Sequence, residues 1–133
     1  MNSRIKRIIQ TLPPWIFTGL TLIIILWLTL SPRPFGSFHT PFFPEADKLA
    51  HALMFGFLVA MMALDKTRKL NFHRLSSIYM ICCASFASLL GVGIEYLQEA
   101  LQTGREFEYL DMAADSCGAF AVAFIWLLLQ PEL

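Results

Sequence analysis

The chain has 133 residues, 56 % of them hydrophobic and 15 % charged, with zero formal net charge and a mean hydropathy of +0.58. A soluble domain of this size needs less apolar content for its core, so the composition points to a membrane protein, and the even charge balance excludes the basic footprint of a nucleic-acid binder. Cys82, Cys83 and Cys117 fall inside apolar runs, with no CxxC pattern and no disulfide framework, and read as small buried hydrophobes.

Four apolar runs follow one another, over about residues 14–30, 49–64, 76–97 and 110–129. A bilayer core of about 30 Å takes about 20 helical residues. The third and fourth runs are comfortable spans and the first is adequate. The second crosses only if Asp47 to His51 lie in the interface. These runs predict an all-α integral membrane protein, a single domain built as a bundle of four transmembrane helices. Arg4, Lys6 and Arg7 precede the first run, but Ile16 to Leu30 is long for a signal core and no A-x-A-like site follows, so it reads as a retained anchor. The connection SPRPFGSFHTPFFPEA, residues 31–46, holds four prolines and four phenylalanines and is expected to lie along the interface as an irregular loop. Residues 65–75 make a short basic connection, and residues 98–109 an acidic one.

Basic residues set the orientation. Arg4, Lys6, Arg7, Lys66, Arg68, Lys69 and Arg74 all fall on one side, which the positive-inside rule makes cytoplasmic, with both termini inside. On the opposite side lie Arg33, Lys48 and Arg105 together with Glu45, Asp47, Glu95, Glu99, Glu106, Glu108, Asp111 and Asp115. Only Asp65 and Glu132 remain for the cytoplasm, and topology needs no acids, so the outer concentration asks for its own cause.

Residues three and four apart share a helix face. Asp47 and Lys48 are therefore neighbours of His51 at the outer end of the second run, Glu95 of Gln98 and Glu99 at the end of the third, and Glu108, Asp111 and Asp115 form a stripe entering the fourth. Alternating helix directions bring these three ends together as the walls of an external polar pocket, with Arg105 placed to hang over it. Ionisable residues inside a membrane cost about 2.5 kcal/mol or more and usually face the bundle interior with a partner. Ala84, Ala87, Ser88, Gly91, Gly93, Ala113, Ala114, Cys117, Gly118, Ala119 and Ala121 are small enough for close helix contact.

Asp47-Lys48-x-x-His51, then Glu95-x-x-Gln98, then Arg105 and Asp111 before a small-residue helix with Gly118 resemble the VanZ-like family of small bacterial membrane proteins. The likeness runs over about residues 47–123 and leaves the first helix generic. The family usually has Asn four residues after the aspartate, where this chain has Asp115. The resemblance implies a cell-envelope role in the cytoplasmic (inner) membrane, linked to lowered susceptibility to teicoplanin-type glycopeptides, and assigns no reaction.

Three functions compete. In the first, Lys48, Arg105 and protonated His51 hold the phosphate or pyrophosphate headgroup of an envelope lipid or lipid-linked cell-wall precursor, with Gln98, Asp111 and Asp115 completing the pocket and Glu95 and Asp111 orienting the cations. The second is catalytic, with His51 and Asp47 or Glu95 as an acid/base pair and no serine or cysteine nucleophile beside them. The third is non-enzymatic, a transport or structural subunit whose few spans favour a homo-oligomer. No cofactor is expected unless His51, Asp47, Glu95 and Asp111 bind a divalent metal, for which one histidine among oxygens suits a hard ion better than structural zinc.

Overall fold

The computed structural model describes residues 2–31, 46–102, 104 and 107–130. Among these residues it has five helices and no strand: α1 (Ser3–Thr11), α2 (Ile16–Leu30), α3 (Ala46–Lys69), α4 (Ser77–Ala100) and α5 (Tyr109–Leu129). Most of the proline-rich connection expected along the interface, residues 32–45, lies outside the described residues.

The helix ends follow from local chemistry. Asn2 caps α1, its side-chain oxygen accepting the Arg4 amide at 3.0 Å. The helix stops because Leu12 precedes Pro13, which disfavours the helical region, and Leu12 is extended at φ −64°, ψ 150°. After the second proline the chain turns by 65° into α2. Ser76 caps α4, accepting the Tyr79 amide at 3.2 Å. α2 has no side-chain cap of its own. A distant residue supplies one: Asp65 Oδ2 of α3 accepts from both the amide and the hydroxyl of Thr18, each at 2.8 Å.

α3 is the central helix, touching each of the other four, and α5 packs on both α3 and α4. Phe55, Leu58, Val59, Met80, Ala84 and Ala119 are fully buried between them. The outside is apolar too, with Ile23, Leu53, Ile78, Leu89, Phe124 and Leu128 all exposed. Contacts at the ends define direction. The Thr18 end of α2 meets Asp65 near the close of α3, the Gln98 amide of α4 donates to the Thr29 carbonyl near the close of α2, and Gln130 after α5 exchanges two hydrogen bonds with the Leu75 backbone before α4. Helices α2 and α4 therefore run one way, and α3 and α5 the other.

Several expectations change in detail. Residues 3–11, read as a basic lead-in, are a separate helix, and α2 by itself has only 15 residues. α3, α4 and α5 are each long and apolar enough to cross a membrane, while α1 and α2 reach that standard only together, across their bend. The short second run is the middle of a 24-residue helix that takes in both flanking charged segments. Cys83 is buried as expected, but Cys82 and Cys117 are exposed on the apolar exterior, because adjacent or opposed helix positions cannot all face one core. Asp65 and Arg68, counted above only as cytoplasmic charges, are buried and paired at 2.9 Å.

Candidate functional site

The site begins with how closely α3 and α5 approach. A Cβ added to Gly118 would collide with the Ala52 backbone, and one added to Gly56 would lie 2.8 Å from Val122 and 3.1 Å from the Gly118 carbonyl. Glycine at both positions lets the two backbones touch, as small residues do where helices pack in lipid. His51 immediately precedes Ala52, with Asp47 one turn nearer the start of α3, and about one turn from Gly118 toward the start of α5 lies Asp115.

At that level His51 Nδ1 stands 2.9 Å from Asp115 Oδ1, with the two residues 3 % and 1 % exposed. On the other side of the ring, Nε2 is 3.7 Å from Asp111 Oδ2, in the first turn of α5. α4 closes the third side. A Cβ at Gly91 would lie 2.5 Å from Asp115 Oδ2, so the missing side chain there makes room for the aspartate. Glu95, one turn further along α4, is fully buried. Its Oε2 accepts the Glu108 amide at 3.3 Å, which ties the start of α5 to α4. Among the described residues, two buried carboxylate oxygens, Glu95 Oε1 and Asp111 Oδ1, have no hydrogen-bond partner.

The rim is wetter. Lys48 Nζ lies 3.3 Å from Glu108 Oε2, both partly exposed, and Asp47 is exposed beside them. Phe107 stacks against Tyr96 and Tyr109 at centroid distances of 5.1 and 4.9 Å, pinning the approach to α5 over the end of α4.

The fold thus gathers Asp47, His51, Glu95, Asp111 and Asp115 at one end of three helices, with Lys48 at the edge. Gln98 is buried and spends its amide on the Thr29 carbonyl of α2. Arg105 lies outside the described residues. The carboxylate at hydrogen-bonding distance from His51 is Asp115, with neither Asp47 nor Glu95 in that place. Glu108 was seen in the sequence only as one member of a stripe, yet both its amide and its carboxylate meet site residues. Its position three before Asp111 was the available signal. At the far end, Arg68 donates to Asp65 and to the carbonyls of Ile9, Leu12 and Pro13, a second buried polar group that sequence reasoning passed over.

What the arrangement can do follows from its atoms. A histidine held at one nitrogen by a buried carboxylate has the other nitrogen set for a proton, a cation or a ligand oxygen. Four carboxylates surround it with one lysine near, so the site favours positive charge in its interior and offers Lys48 to an anion at its mouth.

The model of the VanZ/LLP1 family matches residues 8–130, nearly the whole chain, and the chain belongs to that family. The match takes in α2 and the last turn of α1, which the sequence motifs alone left generic. Neither the curated proteins nor the solved structures contain a match. Family and apolar helices together make this a multi-pass membrane protein.

Proposed function

Starting from membership of the VanZ/LLP1 family, we propose that the chain spans the bacterial cytoplasmic membrane four times, with both termini inside, and binds the phosphate-containing headgroup of an envelope lipid or lipid-linked cell-wall precursor. The observation that carries this reading is the buried group of His51, Asp111 and Asp115 opening onto Lys48 at the common end of α3, α4 and α5. Ionisable residues are rarely taken into an apolar bundle without a task, and this group sits opposite the basic end formed by Arg4, Lys6, Arg7, Lys66 and Lys69. A headgroup enters from the outer leaflet side while its chains lie against the exposed apolar faces. Altered susceptibility to teicoplanin-type glycopeptides, which the family resemblance implies, belongs to the same reading.

The test is native mass spectrometry of protein extracted gently from its own membrane. Wild type is expected to carry a phosphorylated lipid that Lys48→Ala and Arg105→Ala lose. Full retention by both variants refutes the proposal.

A second reading is favoured by the 2.9 Å contact between His51 and Asp115. It orients the imidazole as a base is oriented in an acid/base pair, leaving Nε2 for a substrate proton. Turnover of a lipid-linked phosphate that vanishes in His51→Gln and persists in Lys48→Ala would favour catalysis over simple binding.

A further inference from the structure

We infer that the pocket is a divalent-cation site, with His51 Nε2, Asp111 and Asp47 as ligands and Asp115 as the carboxylate that positions the imidazole. The argument starts from the two ring nitrogens of His51. Nδ1 is bonded to Asp115 Oδ1 at 2.9 Å. With Asp115 ionised and the ring neutral, as a metal ligand must be, the proton of that bond belongs to Nδ1, and Nε2 presents its lone pair. That lone pair faces Asp111 Oδ2 across 3.7 Å, too far for a hydrogen bond. Two electron-pair donors turned toward each other repel unless something positive lies between them.

The spacing fits an ion. Donors bound at about 2.1 Å to one metal stand no more than about 4.2 Å apart, and 3.7 Å lies within that reach. Asp47 supplies the third ligand. One donor atom from each of Asp47, His51 and Asp111 lies within 4.8 Å of the other two, and Asp47 is exposed, so a small turn of its side chain closes the triad.

A second observation points the same way. Asp111 Oδ1 is buried and has no hydrogen-bond partner among the described residues, on a side chain only 9 % exposed. A carboxylate oxygen removed from water in this manner needs a compensating positive group. Glu95 Oε1, also buried and without a hydrogen-bond partner among the described residues, adds another oxygen acceptor to the same end of the bundle.

Asp115 then has a definite task. Histidines that bind metals usually donate their second ring N–H to a carboxylate, which sets the tautomer and aims the ligand nitrogen. Asp115 is fixed for this by the glycine gap at Gly91 and by the close α3–α5 contact at Gly118. One imidazole with two carboxylates, open to water beside Asp47, suits Mn²⁺ or Zn²⁺ better than Ca²⁺, which takes about six to eight oxygens. The remaining coordination position accepts a phosphate oxygen, with Lys48 beside it. Only that last step rests on the headgroup reading; the cation site stands without it.

The test uses the whole chain in lipid-free detergent micelles, stripped with a chelator and titrated with Mn²⁺ by electron paramagnetic resonance, then with Zn²⁺ by calorimetry. One ion per chain is expected. Asp111→Asn and His51→Ala lose saturable uptake, Asp47→Asn weakens it at least about 10-fold, Asp115→Asn weakens it about 10- to 100-fold, and the exposed Glu99→Gln leaves it unchanged. Asp47→Asn alters an exposed residue, so it decides the matter even if the buried variants lose their fold. No saturable uptake by folded wild type, or uptake that Asp47→Asn and Asp111→Asn both leave intact, overturns the inference. A phosphorylated lipid held through Lys48 by a protein that takes up neither ion would refute the cation and spare the headgroup reading. Ion uptake without any retained lipid would do the reverse.

Discussion

At the scale of single residues, two buried polar groups among the described residues, one around His51 and one around Arg68, differ in how completely they are satisfied. Arg68 and Asp65 form a closed network, since the guanidinium reaches one carboxylate and three carbonyls while the carboxylate also receives both Thr18 donors. Removing either partner strands the other, at a cost of about 3–5 kcal/mol. Arg68→Met is therefore expected to lower the unfolding midpoint in detergent sharply, and the Asp65→Asn, Arg68→Met double variant to lose less than the sum of the singles. The group around His51 is open by contrast, with two carboxylate oxygens unpartnered among the described residues. Glu95→Gln keeps the shape and an oxygen for the Glu108 amide, so stability should stay within about 1 kcal/mol of wild type, whereas Glu95→Ala leaves a cavity and an orphaned amide and should cost roughly 2 kcal/mol or more. Equal unfolding midpoints for the two variants would contradict this account of Glu95.

At the scale of elements, glycine positions that look alike in the sequence do opposite things. Gly118 is where the α3 backbone passes, and Gly118→Ala must push α3 and α5 apart, at about 1–3 kcal/mol, and lengthen the His51 to Asp115 contact. Gly93 has nothing within 4 Å of an added Cβ. Gly93→Ala should be stabilising by up to about 1 kcal/mol, because alanine loses less backbone entropy in a helix. Thermal unfolding of the pair tests both signs at once. The small-residue stripe was legible as a packing surface, but which of its members bear the contact depends on helix rotation, and periodicity alone does not set that. The cap of α2 was hidden for a similar reason, since Asp65 is 47 residues from Thr18 and no local pattern joins them.

At the scale of the whole molecule, charge and apolar surface divide cleanly. α1 carries Arg4, Lys6 and Arg7 with Ile5 and Ile8 exposed beside them, and Lys6, Lys66, Arg68 and Lys69 each lie over an aromatic ring at 5.2 to 5.5 Å. Basic side chains over aromatic faces suit the headgroup level of a bilayer. With the native cysteines replaced, Ser3→Cys is expected to react with a membrane-impermeant thiol reagent only after the cells are opened, and Glu99→Cys in intact cells. The opposite pattern would invert the orientation and place the acidic site inside.

The amino-acid sequence by itself determined the fold class and the family, because apolar runs of membrane length allow few structures other than helices, and because motif residues keep their spacing whatever surrounds them. It also marked Asp47, His51, Glu95, Asp111 and Asp115 as polar residues at the ends of such runs. Only the tertiary structure decided which carboxylate His51 bonds, that Gln98 serves α2, and that Asp65 and Arg68 are buried together. These are relations between residues far apart in the chain. They depend on the rotation and depth of each helix, which close packing at Gly56, Gly91 and Gly118 sets to within an atom's width.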